Sequence, residues 1–521
     1  MVRQCSTGSR GVHERMLSRL SLKTACTYRE RSFARLTDSH QWLSREIDML
    51  RNVQKLGWQK KILQASALAL LCVSMSGALH AETLEQVFQS ARQNDARLKS
   101  QAAQAAAGRE TGNIYKAPLL PQAELGATKS KSKNHIQGYR CSGASTGVSD
   151  CDNVRSNITS SNLTVTQTLF NMEQWYDFQK GKKIGEQADA QYRVDEMEFM
   201  VRVVDVYIGV LHAIDTYQTA LAQEKAIERQ LEQAKQRFDV GLIAITDVQE
   251  SQATFDSTHV ETLSALGNIG IAFEAVEQLT GQRVEKIAPL SADLPVKMLQ
   301  PEAQAEWEKL ALENNPRLSV ATLAVDASRE NAKARRSAHL PTLYGSFQHS
   351  NSDGDINYGN GFGSMNDDMN GNTVALNLRI PLYSGGGVSA ARRQAYQQQI
   401  AAEEQLTDSQ RSVVQGARSY HLAVTTDIQR VAAQKQAIVS AQSALDATQA
   451  GYEVGTRNIV DLLDAEQRLY RVKLSYSTAR YQFILDTLRL LQTAGTLTDA
   501  NVLTLNQWME PEKSYDRNQF K

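Results

Sequence analysis

The sequence predicts a mainly α-helical fold that also contains barrel-type β-strands and is built by internal duplication. Three observations predict it. Proline is scarce, with 9 in 521 residues, as long uninterrupted helices require. Four short segments alternate apolar and polar residues, which is the period of a strand with two different faces. A stretch of about 20 residues occurs twice, at equivalent places between helical patterns.

The duplicated stretch reads RFDVGLIAITDVQESQATF from Arg237 and GYEVGTRNIVDLLDAEQRLY from Gly451. A second pair, NDARL from Asn94 and NNPRL from Asn314, extends the similarity at an offset of 220. A repeat of this length indicates a duplicated half of a domain. We therefore expect a first structural repeat over 82–293, a second over 294–507, and a C-terminal tail over 508–521.

Residues 1–81 differ in composition from the remainder of the chain. They contain 13 basic and 5 acidic residues, which leaves 44 basic and 52 acidic residues elsewhere. A basic segment precedes an uncharged apolar run over 62–79 and small residues up to Ala81, which predicts a secretory signal peptide; a membrane anchor helix is the alternative. The first 48 residues resemble neither a signal nor a domain, and a true start near Met49 would explain them. An acidic body argues against nucleic-acid binding.

Two cysteines lie in the body, Cys141 and Cys151, within a loop rich in Gly and Ser. In an exported chain this spacing predicts a short disulfide. Two free thiols or half of a metal site are the alternatives.

The first repeat is predicted to contain one Ala-rich helix, two strands and two long helices. Pro118 and Pro121 end the first helix. The helical patterns run over 82–117, 173–238 and 247–279, and the strands over 122–132 and 160–170, joined by a polar loop over 134–157. In the second strand Leu163, Val165 and Leu169 alternate with threonines. A coiled-coil seam is predicted at Ile227, Leu231, Ala234 and Phe238.

The second repeat is predicted to follow the same order. Its helical patterns run over 301–337, from about 388 to Tyr452, and over 459–493; its strands run over 341–351 and 373–382, with a polar loop over 352–371. The strand at 373–382 has Val374, Leu376 and Leu378 on one face, and Pro381 suits only its end. The loop aspartates are predicted to be solvated, with a cation site as the alternative; they are Asp353, Asp355, Asp367 and Asp368.

Each copy of the repeated stretch is predicted to turn one helix into the next. Gly241 and Gly455 follow long helical patterns, and glycine readily adopts the left-handed conformation that ends a helix. Thr246 and Gln249 have the spacing of a capping box for the next helix. In the second copy Asn458 is predicted to be the N-cap.

Four strands per chain cannot close a barrel, because the smallest membrane barrels have about eight. An open sheet edge is not tolerated in lipid. The alternating strands therefore predict a barrel shared between chains, and three copies would contribute twelve strands. Helices of roughly 100 Å are too long for one compact domain and would form a tube attached to the barrel.

Nearly all of residues 82–507 resemble the TolC-type outer membrane efflux protein family, most specifically in RFDVGLIAITDVQ, RIPLYSGG, SVVQGARSY and GYEVGTRNIVDLLDA. The resemblance implies a homotrimer with a twelve-stranded barrel in outer-membrane lipid and a coiled-coil tunnel in the periplasm. It also implies a periplasmic adaptor and an inner-membrane efflux pump or ABC-type secretion exporter as partners. Drugs, other small molecules or secreted proteins would be the cargo.

No sequence motif indicates catalysis. GxSxG, HExxH and phosphate-binding loops are absent from the sequence, so we expect neither an enzyme nor a cofactor. A trimeric adhesin stalk is an alternative of another class. Such a stalk needs only one barrel segment, whereas this chain has two strand pairs at equivalent places, which fits a barrel wall formed by both repeats. A porin does not fit four strands joined to such helices.

The resemblance assigns roles to residues near the two turns. Val240, Gly241 and Leu242, and Val454, Gly455 and Thr456, would form the periplasmic tips that meet the adaptor. Asp461 and Asp464 are three apart, so a helix places them on one face, and they match the family's aperture motif. Tyr452 and Arg457 match gate links whose partners would be Thr246 and Asp247. The alternative for the two aspartates is a helix-start residue and a solvated neighbour.

Overall fold

A computed structural model describes residues 82–135, 140–142, 148–150, 153–358, 364–366 and 368–520. Nine helices are named in this part of the chain. They are α1 (Leu84–Asn94), α2 (Ala96–Lys116), α3 (Met172–Asp239), α4 (Ile245–Thr280), α5 (Gln304–Asn314), α6 (Pro316–Ser337), α7 (Gly387–Glu453), α8 (Ile459–Thr493) and α9 (Asp499–Asn506). Among these helices none is both long enough and apolar enough to cross a membrane.

The strands form one large sheet and two small pairs. They are β1 (Gln122–His135), β2 (Arg140–Ser142), β3 (Val148–Asp150), β4 (Asn153–Phe170), β5 (Lys286–Ile287), β6 (Thr342–Tyr358), β7 (Ser364–Asn366), β8 (Met369–Arg379) and β9 (Tyr515–Asp516). The large sheet is antiparallel and runs β1-β4-β6-β8, with β7 also pairing with β6. Each repeat therefore contributes two adjacent long strands.

One face of the large sheet is apolar and exposed. Val165, Phe347 and Val374 lie directly opposite one another on three adjacent strands. Val374 is 81% exposed, and Leu376 and Leu378 on the same strand are 68% and 62% exposed. So much exposed apolar surface on a regular sheet indicates a face that meets lipid or a partner rather than water.

The helices form two layers that share α3 and α7. Beside the sheet α2 packs on α3, α3 on α6, and α6 on α7. In the layer farther from the sheet, α4 packs on α3, α3 on α8, and α8 on α7. Most of the predicted seam on α3 is confirmed, because Ile227, Leu231 and Ala234 are buried, whereas Phe238 at the helix end is 39% exposed.

Two of the predicted helices are interrupted, which corrects the expectation of continuous helices over 82–117 and 301–337. Asp95 ends α1, caps the Arg97 amide at 2.9 Å and forms an ion pair with Arg202. At the equivalent place Asn315 caps the Arg317 amide at 2.8 Å. Both cap residues are buried, so each break is a packed junction between two helices.

The strands extend beyond their predicted ends because polar hairpins continue to pair outside the apolar zone. β4 begins at Asn153, and β6 runs to Tyr358, so much of both predicted loops is strand. At its other end β8 stops at Arg379, three residues before the predicted end at Leu382, since Pro381 cannot donate to the ladder.

The largest apolar core lies where α1, α3, α4 and α8 meet the segment around Ile287, and it contains the fully buried Tyr207 and Phe273. The C-terminal tail docks against this core rather than standing apart from it. β9 pairs with β5, and the Arg517 guanidinium lies 5.6 Å from the Phe273 ring centre and 3.3 Å from a Glu277 oxygen.

Three predictions lie outside the described residues. They are the signal peptide, which lies within 1–81, the disulfide at Cys151, and the solvated loop aspartate Asp367. Cys141 lies on β2 opposite Ser149 on β3, in a short hairpin. Its disulfide with Cys151 stays a prediction.

Candidate functional site

The two repeated turns have the same backbone geometry. Gly241 and Gly455 both have φ of +76°, in the left-handed region. At the first turn the Leu242 amide donates to the Arg237 carbonyl at 2.9 Å, and at the second the Thr456 amide donates to the Gly451 carbonyl at 2.8 Å. This is the Schellman arrangement, which closes a helix without help from other elements.

The tips of both turns are exposed. Val240, Leu242 and Val454 are 70%, 73% and 75% exposed, and added Cβ atoms at Gly241 and Gly455 would meet nothing within 4 Å. Three large apolar side chains held in water at two adjacent hairpin ends are consistent with a surface that another protein covers.

The helices restart differently after the two turns. Asn458 accepts a hydrogen bond from the Asp461 amide at 2.8 Å, so the predicted N-cap is confirmed. The predicted capping box of Thr246 and Gln249 is wrong, because α4 begins earlier, at Ile245, with Ala244 as its N-cap. Thr246 therefore lies inside the first turn of the helix, where its hydroxyl donates to the Asp247 carboxylate at 3.4 Å.

Asp461 and Asp464 lie on one side of α8. Their neighbours Leu462 and Leu463 are buried against the other helices, whereas Asp464 is exposed and Asp461 partly exposed. At 100° per residue the two carboxylates are on the side opposite the buried leucines. Arg457 lies 3.7 Å from the Asp461 carboxylate, so part of that negative charge is already balanced within the chain.

Tyr452 is buried at the end of α7, in a cluster with Ile227, Ile459 and Leu462. The Arg237 guanidinium stacks over its ring, 4.8 Å from the ring centre. Within the described residues the Tyr452 hydroxyl has no hydrogen-bond partner. A buried hydroxyl without a partner is costly, so the Tyr452 hydroxyl is available for a further hydrogen bond.

The predicted gate links are not formed within a single chain. Arg457 contacts Asp461, and Thr246 contacts Asp247, but in the described part of the chain no hydrogen bond or ion pair joins one of these pairs to the other. The four residues nevertheless lie at the same end of the helical layer, beside the two tips. Their role as links between hairpins stays a prediction.

Sequence reasoning missed a buried carboxyl behind the aspartates. Glu466 is 6% exposed and accepts a hydrogen bond from the Gln230 side chain of α3 at 2.8 Å. Burial raises the pKa of Glu466 to about 7, with Arg229 acting in the opposite direction. Gln230 Oε1 has no partner in the described structure. Gln230 and Glu466 are 236 positions apart in the sequence, so no local pattern predicts their contact.

The residues that the structure describes contain no cluster of three or more His, Cys, Asp or Glu side chains placed to hold a metal ion. The side chains at this end of the chain are carboxylates on an exposed helix face, Arg457 beside them, and apolar residues at the tips.

Comparison with known proteins agrees with this geometry. The profile of the "Outer membrane efflux protein" family matches residues 87–282 and 307–496. The outer membrane protein TolC of Vibrio cholerae is 35% identical over 459 residues, which cover 87% of this chain and all of that protein. TolC of Escherichia coli K12 is 37% identical over 447 residues, covering 84% of this chain and 87% of that protein.

Crystal structures of CusC, a transmembrane channel, share the fold with a TM-score of 0.65 at 16% identity, over 79% of this chain and 92% of that one. These similarities confirm the predicted combination of a long helical tunnel with barrel-type strands, and closure of twelve strands in a trimer stays a prediction. The relatives are outer-membrane channels and not enzymes. The chain therefore belongs to the outer membrane efflux protein family, the TolC-type outer-membrane tunnels of tripartite efflux and type I secretion systems.

Proposed function

We propose that three copies of this chain form a passive conduit that is gated at its periplasmic end and works with an adaptor and an inner-membrane transporter. The observation behind this proposal is the open sheet. β1 and β8 are unpaired on their outer sides in the described chain, although β8 presents a strongly exposed apolar face. In lipid such edges need partners, and the β8 edge of one copy would pair with the β1 edge of the next.

The number of strands favours three copies over two. Two copies would give eight strands, and an eight-stranded barrel has an interior just wide enough for its own side chains. Three copies would give twelve strands and an open lumen. Strands β1 and β8 have 14 and 11 residues, enough to cross a bilayer when tilted.

The helical layer also has two free edges, α4 and α7, which belong to the same repeats as the free strands β1 and β8. On α4 the face opposite α3 carries Val260, Leu263 and Ile271, which are 61%, 54% and 70% exposed. At the other edge Leu422 on α7 is 64% exposed. We infer that α4 of one copy packs on α7 of the next, so that each repeat, 82–293 and 294–507, supplies one edge of the protomer.

The assembly is tested by the mass and the conductance of the purified protein. We expect the mass of three chains and low, discrete conductance in planar bilayers. A mass of one or two chains would overturn the shared twelve-stranded barrel, and trimers that never conduct, even when the gate is altered, would overturn the conduit.

The exposed tips support a docking surface for the adaptor. Gly455→Glu should reduce drug export several-fold while leaving the trimer intact, because a charged side chain would point from the tip into the contact. Minimum inhibitory concentrations and the trimer mass measure the two effects.

The positive φ of Gly455 makes a control necessary, since any side chain there strains the turn. Gly455→Asn is the matched variant, because asparagine tolerates the left-handed region and carries no charge. Export should be close to normal in this variant. Normal export with Gly455→Glu would remove the tip from the docking surface, and equal loss in both variants would assign the effect to strain.

A further inference from the structure

A basic groove lies between α6 and α7, close to the sheet. It has a volume of about 670 Å³ and lies at the end of the helices opposite to the two tips. Its charged and aromatic lining residues are Arg329, Lys333 and Arg336 on α6, and Arg392, Arg393 and Tyr396 on α7. On α6 the spacing of four and three residues places Arg329, Lys333 and Arg336 on one stripe, and on α7 Arg392 and Arg393 each lie three or four residues before Tyr396.

Three of the five cations in the groove have no carboxylate partner. Arg329 lies 3.2 Å from Asp326, and Lys333 lies 2.7 Å from Glu330. In contrast, no described carboxylate lies within 4 Å of Arg336, Arg392 or Arg393, and all three side chains are exposed. Three unpaired guanidinium groups facing one groove create a local excess of positive charge that favours an anion.

The groove is next to the apolar edge of the sheet. Directly after β8, Leu382 and Tyr383 are 93% and 88% exposed, and Trp175 at the start of α3 is 46% exposed. Exposed aromatic residues at the end of a membrane strand are typical of the bilayer interface. Arg392 is five residues into α7, about 8 Å along the helix axis from its start, which is the depth of lipid headgroups.

The groove opens on the outer side of the helical layer. Another recess, lined by Gly387, Ala391 and Arg379, lies where β8 is joined to α7. Arg379 shares the polar face of β8 with Asn377, which would face the lumen of a barrel. Ala391 and Arg393 are about 200° apart around α7, so the basic groove faces away from the lumen.

We propose that the basic groove binds the phosphate of an anionic phospholipid in the periplasmic leaflet of the outer membrane. Arg336, Arg392 and Arg393 donate to the phosphate oxygens, and the guanidinium fork suits two oxygens at once. The acyl chains lie against the apolar residues that follow β8. Three grooves, one per protomer, hold a ring of lipids at the base of the barrel and fix the depth of the trimer in the membrane.

This proposal rests on the trimeric barrel proposed above, and native mass spectrometry of the delipidated, purified trimer separates the two. The trimer peak reports assembly, and its adducts report lipid. Titration with phosphatidylglycerol should give three tight adducts per trimer, weakened by salt, whereas phosphatidylcholine should bind less tightly. Arg336→Gln with Arg392→Gln and Arg393→Gln should weaken phosphatidylglycerol binding roughly a hundredfold, from the contribution of each cation near a lipid surface.

Two further variants keep the test specific. Arg336→Lys with Arg392→Lys and Arg393→Lys retains the charge and should keep most of the binding. Arg411→Gln with Lys435→Gln and Lys225→Gln removes the same charge at exposed sites farther from the sheet and should leave binding unchanged. Equal affinity in the wild type and the groove variant would overturn the proposal, as would displacement of the lipid by free inorganic phosphate at comparable concentration.

Discussion

Trimers that carry Tyr452→Phe together with Arg457→Ser should conduct more current in planar bilayers than wild-type trimers. The Tyr452 hydroxyl is buried without a partner in the described chain, and Arg457, with its side chain 61% exposed, contacts Asp461 at 3.7 Å. Both groups therefore keep the capacity to bond a neighbouring hairpin. Hydrogen bonds to charged groups contribute about 1.5–3 kcal/mol each, so their loss should raise the open fraction roughly tenfold or more.

The control for this variant removes the same two chemical groups from α8, farther from the tip. Tyr470→Phe with Arg468→Ser takes away one tyrosine hydroxyl and one exposed guanidinium farther from the tip. Its conductance should match that of the wild type. An unchanged conductance in the Tyr452 and Arg457 variant, or an equal rise in the control, would show that these residues only cap and cover the hairpin.

Asp461→Ala together with Asp464→Ala should weaken cation selectivity and remove block by multivalent cations added on the periplasmic side. Threefold symmetry would place six carboxylates around one opening, and rings of acidic side chains favour cations. The affinity of the blocking ion should fall on the order of tenfold or more, because several charges act on it at short range. Reversal potentials in a salt gradient and titration with a trivalent cation measure both effects.

The structure ranks the two carboxylates. Arg457 screens Asp461 at 3.7 Å, whereas Asp464 is exposed and has no cationic partner within the described residues. Asp464→Ala alone should therefore have the larger effect, and Arg457→Ser alone should increase cation selectivity. Those opposite signs distinguish a charged aperture from a general loss of structure.

A control for total charge uses Asp446→Ala with Glu453→Ala, two exposed acidic residues near the end of α7. This variant removes the same number of negative charges near the same tip. Its selectivity should change little if the ring itself is responsible. Equal loss of block in both variants would mean that the overall charge of the tip acts, and not Asp461 and Asp464.

Local sequence was sufficient for the features that depend on short-range sterics and periodicity. The left-handed glycines at 241 and 455 and the Asn458 cap are each satisfied by residues a few positions away. The alternating strands were located because side chains two residues apart lie on the same face of a strand, regardless of which strands it pairs with. The strand ends were not predicted, because polar residues occur both in the paired strands of a protruding hairpin and in solvated loops.

Helix boundaries were predicted well for α8 and poorly at the two helix–helix junctions at Asp95 and Asn315. α8 begins and ends where the sequence predicted, at Ile459 and Thr493. The break at Asp95 was missed because its stabilising partner, Arg202, is 107 residues away. The break at Asn315 had a local signal, since Pro316 is well suited to the first position of a helix and not to its interior.

The sequence by itself determined the duplication, the two tips, the four alternating strands and the carboxylates near the second tip. Only the tertiary structure showed that Tyr452 is buried beneath Arg237, that Glu466 meets Gln230, and that the tail is tied to the core through Arg517. The physical reason is the range of the interactions. Turns, caps and strand periodicity are set by neighbours along the chain, whereas burial and pairing depend on which distant helices the fold brings together.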